Sequence, residues 1–241
     1  ECMEIATGAP MPDGADAVVM VEETEQADGQ RIRIMSPVYP RQHVGRRAAD
    51  IATGQMILRE GDLLNPSRVG ALAAIGFADV QVFARPRVAL LSTGNEIVGP
   101  GQPLGPGEIY DINRFTLSAV IREHGALPIL LRTAADNLED LAAAVDAAAD
   151  ADVLVFSGGS SVGERDLVLD VLRERGEVIF HGIAVKPGKP TAFGRIGGKP
   201  VLGMPGYPSS CLSNGYILLV PLLRRIAQLP AYQPRVARLP L

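Results

Sequence analysis

The pattern of hydrophobic and polar positions predicts an α/β domain from residue 85 onwards. Short apolar runs without alternation, as buried parallel strands show, are separated by amphipathic stretches of helical period. The predicted strands are 88–91, 127–131 and 153–156, and the predicted helices are 114–124, 137–149 and 166–175. A hairpin over 191–204 turns at Gly197-Gly198, and an apolar helix over 212–227 follows. Alternating strands and helices predict a three-layer αβα domain with a mostly parallel sheet over 85–228.

The first 84 residues have a different pattern. Residues 1–45 predict a small β-rich domain, with strands at 17–21 and 31–34 and a hairpin signal at Asp28-Gly29. Residues 46–84 predict a helix from Asn65-Pro66 to about residue 74, ended by Gly76, and then a strand over 79–83. Residues 229–241 are predicted to begin a further β domain.

Composition narrows the class of protein. The 241 residues are 47% hydrophobic and 21% charged, which is typical of a folded globular chain and excludes intrinsic disorder. The best apolar run, 216–220, ends at Pro221 and is far shorter than the roughly 18 residues of a membrane span. A net charge of −4 argues against a nucleic-acid-binding surface. The eight acidic residues among the first 30 indicate a solvated acidic face.

Two further features bear on the compartment and on the extent of the chain. Cys2 and Cys211 are isolated, so they suggest neither a disulfide framework nor a zinc site, and we expect a cytoplasmic protein. The N-terminus has no basic region and no apolar core of a signal peptide, and it does not begin with Met. We therefore expect the sequence to be part of a longer chain.

Three loops that follow predicted strands combine glycine with hydroxyl residues. They are 92–96, 157–166 and 205–210. Ligands of such sheets bind at the carboxyl ends of the strands. Glycines let a ligand approach the backbone, and hydroxyl and N–H groups bind anions. The second loop matches neither the Walker A pattern nor Gly-x-Gly-x-x-Gly. The loops thus predict a phosphate site of another kind, the alternative being ordinary turns.

Carboxylates occur in or beside these loops. Glu96, Asp111 and Asp166 are candidates to hold Mg²⁺ beside a phosphate, because hard cations prefer carboxylate oxygens. The alternatives are that Asp166 caps its helix, that Asp111 and Asn113 cap the helix after them, and that Glu96 is merely exposed. The histidines at 43, 124 and 181 are scattered and are interpreted as structural or surface residues.

Lysine is concentrated in one segment. Of 23 basic residues only three are lysines, and all three lie between positions 186 and 199: Lys186, Lys189 and Lys199. A compact ammonium group suits small oxyanions and phosphates, so Lys186 and Lys189 are predicted to form an anion site. Lys199 is predicted to lie in the solvated hairpin turn. The alternative is a compositional accident.

Six motifs occur in the same order in one known family. TGAPMP with GADAVV (7–12 and 14–19) resembles that family's TGAPxPxGADAVV, and STGNE (92–96) resembles its STGDE. IYDIN (109–113) and SGGSSVGERD (157–166) resemble IYDxN and GGxSVGxxD. AVKPGKPTAFG (184–194) and PGYPSS (205–210) resemble KPGKPxxFG and PGNPxS. The family is that of the molybdopterin molybdenumtransferases, bacterial relatives of the gephyrin C-terminal region, and the resemblance covers nearly the whole chain.

The resemblance implies an activity and a cofactor. The family inserts molybdate, or alternatively tungstate, into adenylylated molybdopterin with Mg²⁺ and releases AMP. It works as an elongated homodimer whose β domain contacts the partner's αβα site, and residues 46–84 would belong to its dimerisation domain. By position Glu96, Asp166, Lys186 and Lys189 match the family's catalytic residues, and Thr7 matches the residue that reaches in from the other subunit.

The matched motifs and loops together define the expected site. The expected substrate-binding residues are Thr7, Thr93, Asp111, Asn113, Ser157, Gly158, Gly159, Ser161, Gly188, Pro205, Gly206, Ser209 and Ser210, and the expected metal ligands are Glu96, Asp111 and Asp166.

The chain departs from the family pattern at two positions of these motifs. Asn95 replaces the Asp of STGDE, which removes one charge near any metal, and Tyr207 replaces the Asn of PGNPxS, which offers a stacking ring instead of an amide. One hypothesis is therefore a divergent paralogue. Two other functions stay open: a molybdopterin adenylyltransferase, against which the β segment at 1–45 argues, and a non-catalytic pterin-binding scaffold.

Overall fold

A computed structural model of the chain describes residues 1–134, 137–158 and 166–234. The chain divides into two compact units, Glu1–Arg59 and Glu60–Leu241. The finer segments expected from the sequence, 1–45, 46–84, 85–228 and 229–241, stay predictions.

The N-terminal unit contains one small hairpin. Strands β1 (Thr24–Gln26) and β2 (Ile32–Ile34) pair antiparallel, and the turn between them contains Gly29 with φ 65°. The hairpin predicted at Asp28-Gly29 is confirmed. The strand predicted over 17–21 is wrong: Val21–Glu23 is a 3₁₀ turn, and residues 17–20 join no ladder among the described residues. An apolar run becomes a strand only where a second strand lies beside it.

The second unit begins with a short helix. Helix α1 (Pro66–Ala74) starts after Asn65, whose side chain accepts the Arg68 N–H at 2.9 Å, and Gly76 with φ 89° follows its end. This helix is confirmed. The strand predicted over 79–83 is wrong, because no described strand lies beside it, and Val82 and Phe83 are exposed.

A six-stranded sheet forms the centre of the second unit. The strands of this unit are β3 (Arg87–Ser92), β4 (Ile97–Val98), β5 (Ile109–Tyr110), β6 (Leu127–Leu130), β7 (Val153–Ser157), β8 (Gly176–His181), β9 (Ala192–Ile196) and β10 (Lys199–Met204). The strands of the sheet lie in the order β6-β3-β7-β10-β9-β8, and the first four are mutually parallel. Strands β4 and β5 form a separate parallel pair. The mostly parallel α/β sheet is confirmed, whereas β8, an antiparallel edge strand, was not predicted.

Helices cover both faces of this sheet. They are α2 (Asn113–Glu123), α3 (Leu138–Ala147), α4 (Leu167–Arg175), α5 (Pro208–Asn214) and α6 (Val220–Ile226), with a π-helical turn (Gly215–Leu219) between the last two. Alternate strand residues point to opposite faces. Leu91 and Phe156 therefore pack with α3 and α4, while Leu90 and Val155 pack with α2, α5 and α6. The last helical region begins at Pro208 and not at the predicted residue 212.

None of the helices formed by the described residues has the length and apolar character that a membrane span requires.

Candidate functional site

The three glycine- and hydroxyl-containing loops meet at the carboxyl end of the parallel strands. The Thr93 N–H, after β3, donates to the Ser157 carbonyl of β7 at 3.0 Å, and the Gly158 N–H donates to the Met204 carbonyl of β10 at 3.3 Å. A methyl group added at Gly206 would lie 3.6 Å from the α-carbon of Gly158. The described parts of the loops thus form one surface, because the parallel register of β3, β7 and β10 brings their ends to the same edge.

Close approach between two of these loops depends on glycine. Gly158 has φ 97°, and a Cβ there would lie 2.5 Å from the Thr93 carbonyl oxygen. An L side chain would force the loops apart. Gly94, with φ 139°, lies under the Glu96 side chain, and a Cβ there would lie 2.8 Å from Glu96 Oε2. Glu96 is exposed, and its carboxylate is folded back over its own loop.

Asp111 and Asn113 form the adjoining wall of the site. Asp111 follows β5 and is buried; its Oδ1 accepts the Arg114 N–H of α2 at 3.0 Å. Asn113 is also buried, and its Nδ2 donates to the Gly206 carbonyl at 2.7 Å, which ties α2 to the third loop. Capping of α2 by Asp111 is therefore confirmed, whereas Asn113 bonds across to another loop.

Three acceptor atoms beside these loops are buried and have no hydrogen-bond partner among the described residues. They are Thr93 Oγ1, Asp111 Oδ2 and Asn113 Oδ1. Buried polar atoms are nearly always paired, and an unpaired one costs about 1–3 kcal/mol. A ligand that presents N–H or O–H donors, or a cation, would satisfy them. The three acceptor atoms belong to two separate chain segments, so they form a cluster only in the folded protein.

A buried thiol and two serines lie behind this surface. Ser157 Oγ is 3.9 Å from Cys211 Sγ on α5, and both residues are buried, as is Ser210. Burial is the main cause that raises the pKa of the Cys211 thiol to about 12. Cys211 therefore remains a neutral thiol at physiological pH and does not act as a nucleophile. Nothing in the sequence pattern had singled it out. Of the other third-loop candidates, Pro205 is buried and Ser209 is exposed.

Asp166 uses both carboxylate oxygens within the protein. Oδ1 accepts the Leu169 N–H of α4 at 3.0 Å, and Oδ2 lies 3.4 Å from His181 Nε2. The capping alternative is thus confirmed. His181 is exposed, in line with its interpretation as a structural or surface residue, and it contacts this candidate catalytic carboxylate. No motif indicated this contact, because His181 and Asp166 lie 15 residues apart in the sequence.

The predicted magnesium triad is not brought together. In the described ranges no group of three His, Cys, Asp or Glu side chains is placed to hold a metal ion. Glu96 is folded over Gly94, Asp111 caps α2 and Asp166 caps α4. The reason is local: each carboxylate lies against the helix or loop that is nearest to it in the chain. Gly159 and Ser161 lie outside the described residues.

The lysine segment is held against helix α5. Lys186 and Lys189 are both exposed, whereas Gly188 between them is buried and has φ 113°. The Asn214 side chain of α5 donates to the Gly188 carbonyl at 2.9 Å. Lys199 differs from the prediction: it is the first residue of β10, and its Nζ donates to the Ala149 carbonyl at the end of α3.

Two other candidates are exposed. Thr7 lies in a turn of the N-terminal unit, and its expected role toward another subunit stays a prediction. Tyr207 immediately precedes α5 and has 69% of its surface exposed, so its ring is available to a ligand at the third loop.

Comparison with known protein families agrees with this architecture. The model of a family described as a probable molybdopterin binding domain matches residues 89–225, more than half of the chain. The chain therefore belongs to that family. The model of the MoeA N-terminal region (domain I and II) matches residues 1–76. Together these matches confirm the resemblance seen in the motifs.

Individual relatives carry a more specific name. Molybdopterin molybdenumtransferase 2 of Mycobacterium tuberculosis (strain ATCC 25618 / H37Rv) is 38% identical over 238 residues, which are 95% of this chain and 58% of the relative. The molybdopterin molybdenumtransferase of Haemophilus influenzae is 38% identical over 225 residues, which are 93% of this chain and 56% of the relative. The chain thus spans less than two thirds of either relative.

A solved structure shows the same fold. The crystal structure of a molybdopterin biosynthesis MoeA protein from Pyrococcus horikoshii superposes with a TM-score of 0.73 at 46% identity. It matches over 92% of this chain and 56% of the other.

Proposed function

We propose that the chain is the pterin-binding and catalytic part of a molybdopterin molybdenumtransferase. The complete protein would insert molybdate into adenylylated molybdopterin and release AMP. Family membership, the six ordered motifs and the names of the relatives support this activity. Because the chain spans just over half of those relatives, the reaction is proposed for the whole protein of which this sequence is a part.

The proposal depends mainly on one observation. Beside the place where the loops meet, three buried acceptor atoms have no hydrogen-bond partner among the described residues: Thr93 Oγ1, Asp111 Oδ2 and Asn113 Oδ1. The amino-pyrimidinone edge of a pterin presents N–H donors, and an acceptor-rich wall complements such an edge. Gly158 and Gly206 leave the loop backbone accessible, so that a phosphate or a flat ring can approach it. We assign the pterin or its phosphate to this surface.

Magnesium remains a proposed cofactor, held by one carboxylate of the chain together with the phosphates of the substrate. Mg²⁺ is commonly held by one or two carboxylates together with substrate phosphates, and does not need a complete protein cage. Asp111 Oδ2 is a buried carboxylate oxygen without a partner among the described residues, so Asp111 would hold the ion when the phosphates are bound. The bound ion would offset phosphate charge. Asp166 and Glu96 would contribute only after leaving the contacts that they make here.

Charge and stacking complete the proposed site. Lys186 and Lys189 would attract molybdate, or tungstate, and the terminal phosphate through charge-assisted contacts. Tyr207 would stack on the pterin in place of the amide found in the family motif. A homodimer in which Thr7 reaches the partner's site is part of the same proposal.

The decisive experiment uses the full-length protein with purified adenylylated molybdopterin. AMP release is measured as molybdate is titrated, and molybdopterin binding is measured in parallel. A molybdenumtransferase releases AMP in proportion to the molybdate added. Pterin binding without AMP release would indicate a scaffold, and consumption of ATP with free molybdopterin would indicate an adenylyltransferase; either result would overturn the proposal.

A further inference from the structure

A buried hydrogen-bond network lies beneath the lysine segment. Asn214, on α5, has no exposed surface, and its Nδ2 donates to the Gly188 carbonyl at 2.9 Å and to Thr191 Oγ1 at 2.8 Å. Thr191, equally buried, donates its hydroxyl hydrogen to the same Gly188 carbonyl at 2.9 Å. One nearby side chain, that of Thr191, and one from helix α5, that of Asn214, therefore hold the peptide group of Gly188. Neither residue was among the site residues that the motifs predicted.

The contact at Gly188 is too tight for another residue. A Cβ at this position would lie 2.7 Å from Asn214 Nδ2, and the backbone already has φ 113°. The neighbouring carbonyl, that of Lys189, accepts the Ile183 N–H at 3.0 Å and the Thr191 N–H at 2.8 Å. The backbone that carries both lysines is thus bonded to itself and to α5, while the lysine side chains extend from an exposed surface.

Helix α5 connects this network to the loops of the candidate site. It begins directly after Gly206-Tyr207, and the Gly206 carbonyl accepts the amide of Asn113. Gly215, which follows Asn214, lies close to α2, since a Cβ there would be 3.2 Å from Leu117 Cδ2. One helix therefore carries both the end of the third loop and the residue that holds the lysine segment.

We propose that Asn214, together with Thr191, is a positioning residue that fixes Lys186 and Lys189 relative to the loop surface, so that the two ammonium groups bind an oxyanion there. The inference rests on the proposed function, which assigns molybdate or phosphate to these lysines. Asn214 and Thr191 act through the lysine backbone and do not themselves contact the anion. A flexible lysine segment would have to be ordered on binding, which lowers affinity.

The test measures molybdate affinity of the full-length protein by titration calorimetry in buffer free of phosphate and sulfate. Thr191→Val keeps the shape of the side chain but removes two of the three hydrogen bonds. We expect it to weaken molybdate binding about three- to tenfold, the scale of one or two neutral hydrogen bonds. Lys189→Ala should weaken binding by about ten- to a hundredfold. The double variant should lose less affinity than the sum of the two single losses, because part of the effect of the network is exerted through Lys189.

A second measurement reports on the segment without depending on activity. In Thr191→Val, hydrogen exchange of the Ile183 amide should accelerate, because that amide bonds to the Lys189 carbonyl that the network holds in place. Ser118→Ala is the matched control: it also removes a buried hydroxyl, one that accepts from Arg122 at 2.8 Å on α2, and should change neither quantity. Asn214→Leu should change molybdate affinity and hydrogen exchange as Thr191→Val does. If Asn214→Leu fails to fold, the measurements on Thr191→Val are sufficient to test the proposal.

The outcomes separate the two hypotheses. If exchange accelerates while molybdate affinity stays at the wild-type value, the network is structural only and the positioning inference is wrong, although the lysine assignment survives. If Lys189→Ala binds molybdate as the wild type does, the lysine assignment fails and the inference falls with it. Additive losses in the double variant would also contradict positioning.

Discussion

Asp111 offers the sharpest test of the candidate site, because its two carboxylate oxygens have different surroundings. Oδ1 caps α2 through the Arg114 N–H, whereas Oδ2 is buried without a partner among the described residues. An Asp111→Asn variant keeps an oxygen for the cap and replaces the unpaired oxygen with an amide. We therefore expect the folded state to be preserved while ligand binding is lost.

The structure sets the size of both effects. Removing a buried, unpaired charge should leave stability unchanged or raise it by up to about 1 kcal/mol, which is a rise of about 2–4 °C in Tm for a unit of this size. Losing one group that stabilises charge in the reaction should lower turnover by about 10²-fold or more. Asp111→Ala also loses the cap, so its Tm should lie about 2–4 °C below that of Asp111→Asn.

Thermal unfolding and AMP release, measured on the same preparations of the full-length protein, check these values. Asn137→Ala is the matched control, because Asn137 caps α3 by accepting the Asp140 N–H at 2.8 Å and takes no part in the site. It should lose about 1 kcal/mol of stability and no turnover. Wild-type turnover in Asp111→Asn would contradict the assignment of Oδ2 to a ligand.

Three further predictions concern other parts of the unit. Asp166→Asn retains a capping oxygen, so its Tm should stay near that of the wild type while turnover falls about 10²-fold. If the variant is stable and fully active, Asp166 has only the capping role. Lys199→Ala should lower Tm slightly, because it loses the bond to the Ala149 carbonyl. Unlike Lys189→Ala, it should leave the molybdate concentration required for activity unchanged. If both variants require the same molybdate concentration, the clustering of lysines has no functional meaning. Burial lowers the pKa of His124, so the folded state resists its protonation and stability should fall as the pH drops below the ordinary value of about 6.5. Denaturant unfolding between pH 5 and 8 should show a smaller loss for His124→Phe, and identical pH profiles would contradict this.

The strands and helices that were predicted correctly are those in which the pattern of apolar residues reflects which faces are buried. Strands β3 and β7 are buried on both faces, which gives uninterrupted apolar runs, and α3 begins at a capping Asn137. Edge strand β8 is mostly exposed, so its sequence carried no comparable signal. Residues 79–83 have a strand-like composition but no neighbour to pair with among the described residues, and composition alone does not supply one.

The candidate site, too, has features that were predicted from the sequence and features that were not. The amino-acid pattern was enough to identify the loops that follow the parallel strands, because strand ends and glycines are local features, and the order of the motifs indicated the family. The bonding partner of each polar group, in contrast, became known from the folded structure. Asp166 caps a helix, Asp111 keeps one oxygen unpaired among the described residues, and Asn214 bonds to Gly188 far away in the chain. The physical reason is that a hydrogen bond depends on a few tenths of an ångström between atoms that packing brings together, and no periodicity along the chain encodes that distance.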